Sequence, residues 1–131
     1  MAAPTDPAVP RILLVDDQRS NLRLLEQTLR RAGFAEVSTT IDPREVTALH
    51  LENDYHLIVL DLQMPEMNGF EVLEQLQPIR PEHPVSILIL SADASQTKQA
   101  LAKGADSFLG KPFRLPEVVE RVQGMLKEAG A

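Results

Sequence analysis

The chain has 131 residues, 44% of them hydrophobic, which suits one domain with a full core and argues against disorder. It has no cysteine, which rules out disulfides and thiolate metal sites, and no apolar stretch approaches the roughly 20 residues that span a bilayer. A net charge of −6 argues against a general nucleic-acid surface, so no direct nucleic-acid contact is expected. The charge is uneven: Arg19 to Arg31 carries four Arg against one Glu, whereas residues 42–82 carry nine acids against Arg44 and Arg80. The basic stretch suits docking of an acidic partner.

Residues 1–10 contain Pro4, Pro7 and Pro10 and little to bury, so they read as a disordered lead-in. They hold no Lys, Arg or apolar run of a secretory signal, and a cytoplasmic protein without membrane contact is expected. Arg11 to Val15 is the first strand-like run. Arg19 to Ala32 follows as a helix with Leu22, Leu25, Leu29 and Ala32 on one face, Leu24 off that stripe, and Gly33 as its stop. Ala35 to Thr39 alternates like an edge strand. Asp42-Pro43-Arg44-Glu45 then has the form of a helix start closed by a capping box, with Val46 and Leu49 facing inward.

Leu57 to Leu60 is a second fully apolar run and ends on Asp61. Gly69 to Leu76 reads as a helix with Phe70, Leu73 and Leu76 inward, and Pro78, Pro81 and Pro84 punctuate a loop. Ile87 to Leu90 is the next apolar run. Ala94 to Ala102 is a thinly packed helix with one large apolar residue, Leu101, and Gly104 as its stop; it should be among the more easily moved elements. Ser107 to Leu109 is a short last strand. Pro116 to Leu126 is the final helix, with Val118, Val119, Val122, Met125 and Leu126 on one side and a weak cap at Leu115.

Strands alternating with helices in this way predict an α/β fold, a three-layer αβα sandwich around a five-stranded parallel sheet. The runs at 12–15, 57–60 and 87–90 are apolar throughout and belong inside; the second and fifth strands suit edges. That is the flavodoxin-like strand order 2-1-3-4-5, with residues 11–128 as the folded domain.

Asp61 is the organising residue. A carboxylate directly after a buried run has no local packing reason, and in an open parallel sheet ligands bind at the carboxyl ends of strands. Asp16 and Asp17 follow the first strand, Ser91 the fourth and Lys111 the fifth. The intervals of 44, 30 and 20 residues each hold at least one helical crossover, so all these groups can reach one end of the sheet. Three carboxylates at one spot repel, and a divalent cation relieves this; oxygen ligands favour Mg²⁺ with several retained waters. Beside such a cation a carboxylate can attack phosphorus and form an acyl phosphate. Lys111 would pair with the phosphoryl oxygens, and the Ser91 hydroxyl and nearby backbone N–H groups would meet the others.

Asp16-Asp17, the turn Asp61-Leu62-Gln63-Met64-Pro65-Glu66-Met67-Asn68-Gly69, Ser91-Ala92 and Lys111-Pro112-Phe113 together resemble the motifs of receiver (CheY-like) domains of two-component response regulators. The resemblance implies Asp61 as phospho-acceptor. Asp17 is then a direct Mg²⁺ ligand, Asp16 acts mainly through a water, and the Gln63 backbone carbonyl is a third protein ligand, with Mn²⁺ as a substitute ion. Leu62, Ser91, Ala92 and Lys111 would contact the phosphoryl group, and Ser91 and Phe108 would form the switch. A cis Lys111–Pro112 bond is also implied. Ser91 stands where Thr is also common and Phe108 where Tyr is common. Gln63 and Asp93 occupy positions that tune phosphoryl loss.

The same resemblance implies phosphoryl transfer from a histidine kinase or histidine phosphotransfer domain docked near the first helix and Leu24. It implies an output domain or target protein on the 94–128 face, and it allows a phosphorylation-dependent homodimer. Such a domain is a signalling module rather than an enzyme, with at most self-catalysed phosphotransfer and dephosphorylation. One alternative is a receiver-like scaffold working without phosphate. Another is a haloacid-dehalogenase-type phosphatase, disfavoured because Gln63 stands where its second Asp would be. A nucleotide-binding domain would need a Gly-rich loop where Asp16-Asp17-Gln18-Arg19 stands.

Overall fold

The structure, a computed structural model, describes residues 9–62 and 68–129. Residues 1–8 of the lead-in expected at 1–10, and the turn residues Gln63 to Met67, lie outside the described residues. Five parallel strands form one sheet: β1 (Arg11–Val15), β2 (Glu36–Thr40), β3 (Leu57–Asp61), β4 (Ser86–Ser91) and β5 (Ser107–Gly110). Their order is β2-β1-β3-β4-β5, as expected. The helices are α1 (Arg19–Arg31), α2 (Val46–Asn53), α3 (Gly69–Leu76), α4 (Thr97–Ala102) and α5 (Leu115–Glu128).

The three central strands are apolar throughout Ile12–Val15, Leu57–Leu60 and Ile87–Leu90 because both sheet faces are covered. Ile12, Leu14, Leu57, Val59, Leu88 and Leu90 pack with Leu22, Leu25 and Leu29 of α1 and Val118, Val122, Met125 and Leu126 of α5. Leu13, Val15, Ile58, Leu60, Ile87 and Ile89 pack on the other side with Val46, Val72, Leu73, Leu76 and Ala100. Alternation along each strand thus builds two cores at once.

Several local expectations changed in contact with neighbours. The capping box at Glu45 does not close. The Asp42 carboxylate does accept from Arg44 N–H at 2.9 Å, but Asp42 N–H goes to the Thr40 hydroxyl. Glu45 accepts from that same hydroxyl at 3.0 Å, and residues 43–45 form a 3-10 turn before α2. Residues 94–96 likewise form a 3-10 turn, so α4 is shorter than expected; Leu101 is exposed and Ala100 is its buried contact. Ala32, expected inward, is exposed beyond the end of α1. α5 begins one residue early with Arg114 as its N-cap, and its end is not weak: Glu117 accepts the Arg114 N–H at 2.9 Å.

Register sets where the strands end. Val15 pairs with Leu60 and Thr40, Asp61 with Leu90, and Ser91 with Gly110. Asp16 and Asp61 therefore stand side by side one step past the β1–β3 pairing, with Ser91 one row further out, level with Gly110, and Lys111 one row beyond that. The loop after Asp61 returns to the sheet at Gly69, whose N–H donates to the Leu62 carbonyl at 2.9 Å. A β-carbon on Gly69 would stand 2.7 Å from Leu62 Cδ2, 2.8 Å from Leu62 Cα and 3.0 Å from the Asp61 carbonyl oxygen. Two of those three atoms are backbone, so a side chain there must push the end of β3. Gly69→Ala is expected to cost about 1–3 kcal/mol, read as a lower urea midpoint at unchanged m-value. An unchanged midpoint would contradict this close packing.

Candidate phosphoryl and cation site

One carboxylate oxygen from each of Asp16, Asp17 and Asp61 lies within 4.8 Å of the others. Asp16 and Asp61 are buried and Asp17 is half-buried at the rim. Asp16 is held on both oxygens: Oδ1 accepts from Gln18 N–H at 2.9 Å and Oδ2 from the Asn21 side-chain amide at 3.3 Å. Lys111 Nζ lies 3.2 Å from Asp61 Oδ2. Its backbone N–H donates to the Ser91 carbonyl at 2.8 Å, so Lys111 is placed from β4 as well as β5. The Lys111–Pro112 peptide bond is cis.

Burial pushes the Asp16 carboxyl above its ordinary range. The Gln18 N–H bond opposes that shift, the Asp61 charge adds to it, and Asn21 and Lys111 lower it. The site thus gathers more negative charge than it neutralises, since Lys111 is the one cation paired to it among the described residues. Hard oxygen donors with excess charge, open at the rim, fit a divalent ion that keeps part of its water.

Ser91 is fully buried, and its hydroxyl accepts from Asp93 N–H at 3.1 Å. The Asp93 carboxylate accepts from Ser95 N–H at 2.9 Å and from the Ser95 hydroxyl, which hold its pKa down. Ala92 is exposed at the rim. Leu62 is buried, and its N–H donates to the Leu90 carbonyl at 3.2 Å. Phe108 pairs with Ile89, two residues before Ser91, so both side chains leave the same sheet face. It packs half-buried against the core beneath α3 and α4, and its carbonyl accepts from Arg121 at 3.1 Å.

The structure therefore brings Asp16, Asp17, Asp61, Ser91 and Lys111 to one end of the sheet, with Phe108 one step below. Gln63 lies outside the described residues. Sequence reasoning missed Asn21, whose only signal was a poor helix former in the first turn of a helix. All three histidines, His50, His56 and His83, gather at the opposite end: His56 brackets the starts of β1 and β4, His50 accepts from Tyr55 N–H, and His83 pairs with Asp54.

Residues 12–123 match the model of the response regulator receiver domain. The chain belongs to that family. The receiver is 39% identical over 127 residues to the transcriptional regulatory protein PrrA of Mycobacterium leprae, covering 97% of this chain and 54% of PrrA. It is 35% identical to the transcriptional regulatory protein SrrA of Staphylococcus aureus, covering 88% of this chain and 47% of SrrA. The receiver thus spans about half the length of these curated relatives. Among solved structures, it superposes on the Vibrio cholerae chemotaxis protein CheY4 with a TM-score of 0.81 at 29% identity, covering 89% of this chain and 98% of that one. The receiver domain of a putative LuxO repressor from Vibrio parahaemolyticus gives 0.83 at 28%, covering 92% of each chain.

These likenesses establish a receiver domain of two-component signalling and favour neither the scaffold nor the phosphatase alternative. They conflict with the expectation of no direct nucleic acid where a longer protein is concerned, because the relatives are named as transcriptional regulators. The acidic charge concerns these 131 residues alone. Among the described residues, no helix is long and apolar enough to cross a membrane.

A raised carboxylate pKa costs stability wherever the folded group is ionised, and that cost fades as pH falls toward the unfolded value of 3.8. Asp16→Asn is therefore expected to raise the urea midpoint of the metal-free receiver where Asp16 is ionised, with the gain shrinking as pH falls toward 3.8. A lowered midpoint would overturn this account of the charge cluster.

Proposed function

We propose that this receiver accepts a phosphoryl group on Asp61 in a Mg²⁺-dependent reaction. The observation that carries the reading is the three-carboxylate cluster with Lys111 set against Asp61. Asp17 would hold Mg²⁺ directly, Asp16 through a water, and the Gln63 backbone carbonyl would complete the protein ligands; Mn²⁺ can substitute. Bound there, the ion supplies neutralisation of phosphoryl charge.

A carboxylate oxygen of Asp61 attacks phosphorus. The bond from phosphorus to the donor's histidine nitrogen breaks, and its electron pair leaves with the imidazole. The donor histidine lies outside these 131 residues, since the three within them sit at the far end of the sheet. Lys111 then moves from Asp61 to the phosphoryl oxygens, and Ser91 turns its hydroxyl toward them, assisted by Ala92 and Leu62 N–H groups. Leu62 must first release the Leu90 carbonyl. Space left by Ser91 lets Phe108 turn inward, shifting the population of the 94–128 face. α4 is suited to move because Ala100 is its one buried residue among those described. The chain needs no activity on outside substrates; its chemistry is on itself.

The donor, a histidine kinase or phosphotransfer domain, would dock by α1. Leu24 is 50% exposed there, beside a cleft of about 260 Å³ lined by Asn21, Leu25, Lys111, Phe113 and Leu115. The 94–128 face would act on an output domain or target, or pair two phosphorylated copies. We take 11–128 as the domain and the cytoplasm as its place.

Incubation with acetyl phosphate, read by intact mass, is expected to add one phosphoryl group only when Mg²⁺ is present, and none to Asp61→Asn. Labelling of Asp61→Asn, or labelling without a divalent ion, would overturn the assignment. Leu24→Asp is expected to label normally from acetyl phosphate yet to slow transfer from a phosphohistidine donor about tenfold, the loss of ~1.4 kcal/mol at an interface. An equal rate from the protein donor would move the docking surface elsewhere.

A further inference from the structure

We propose that Asn21 is a positioning residue for the divalent cation, its side-chain amide fixing the Asp16 carboxylate in the orientation that the ion's hydration shell requires. The proposal rests on the cation-dependent reading of the site given above.

Asp16 must face two other carboxylates. Repulsion would rotate it away unless donors hold it from behind. Its two oxygens have one donor each, and the two donors differ in kind. The Gln18 N–H is backbone and is fixed by the turn into α1. The Asn21 amide is the one side-chain donor to Asp16 among the described residues, and it reaches across from the first turn of the helix. A second bond, from the same amide nitrogen to the Gln18 side-chain oxygen at 3.1 Å, steadies the amide.

With one donor already on each oxygen, Asp16 keeps lone pairs directed at the cluster. It suits accepting from a metal-bound water more than direct ligation. α1 has neither an acidic residue in its first turn nor a side-chain cap, so the Asn21 amide is turned to Asp16 rather than to the helix's own end.

Asn21 also lines the cleft beside Leu24 and Lys111, where a protein donor would sit. Phosphotransfer from a partner would therefore mix two effects, and the test uses the isolated receiver with Mg²⁺ alone. Mg²⁺ affinity is measured by calorimetry and by the amide shifts of Asp17 and Asp61, beside the melting temperature. Asn21→Leu keeps the approximate shape and removes the donor; it is expected to weaken Mg²⁺ binding about tenfold or more. Asn21→Gln, which keeps an amide on a longer stem, is expected to recover part of the loss. Asn21→Ala takes the place of the Leu variant if that chain does not fold.

A dissociation constant within about twofold of the parent overturns the proposal, since outer partners of metal ligands ordinarily contribute tenfold to a hundredfold. A lower melting temperature with unchanged Mg²⁺ affinity overturns it equally and assigns Asn21 to the helix alone. A parent receiver that takes up no Mg²⁺ would overturn the reading of the site itself.

Discussion

Repulsion among Asp16, Asp17 and Asp61 is the constraint around which the rest of the receiver is arranged. Like charges this close disfavour the compact state, and burial of two of the three adds desolvation. The fold tolerates this because the charges stand at the ends of strands whose interiors are apolar on both faces. Leu57 to Leu60 have almost no exposed surface, so β3 cannot slide to relieve Asp61 without losing two cores together. Lys111 offsets part of the charge and is anchored through its own backbone to Ser91. What remains is an unmet demand for positive charge at an open rim, which is a binding property.

The molecule is unevenly held. Near the amino ends of β4 and β5, Arg80 donates to the carbonyls of Gly104 and Val85 and to Asp106, and Asp106 also accepts the Ile87 N–H. Lys103 pairs with Glu74 at 2.7 Å. The carboxyl end of α4 is thus tied to the connection after α3 and to the start of β4. Its amino end instead meets the sheet through short local bonds among Ser91, Asp93 and Ser95. A change at Ser91 therefore reaches α4 at its less constrained end. Arg121, bonded to the Ser107 hydroxyl and the Phe108 carbonyl, carries the β5 backbone into contact with α5.

The relatives place this unit in context. PrrA and SrrA match it along about half their length and are named as transcriptional regulators, whereas CheY4 is matched over 98% of its chain. One scaffold thus occurs both as part of longer regulators and nearly alone. The chemistry at the carboxyl end of the sheet is separable from whatever the opposite surfaces address.

Strand positions, strand order and the five acidic, hydroxyl and amine groups of the site were legible in the sequence. Short, fully apolar runs alternating with amphipathic helices suit interior parallel strands, and polar residues directly after them have no local packing reason to be there. The exposure of Leu24 was legible for the same reason, as a departure from a helical stripe. Only the tertiary structure decided the rest. Glu45 left its capping box because Thr40, from a neighbouring strand end, offered a hydroxyl. The α5 cap came from Glu117 reaching back, and α4 is shorter because residues 94–96 wind as a 3-10 turn before it. The Arg80–Asp106 tie and the Asn21–Asp16 bond join residues whose types suggest nothing singly. Periodicity and strand-end chemistry are properties of the local chain. The partner of a polar side chain depends on which distant groups the packing brings within hydrogen-bond reach, and that is settled only when the strands are in register.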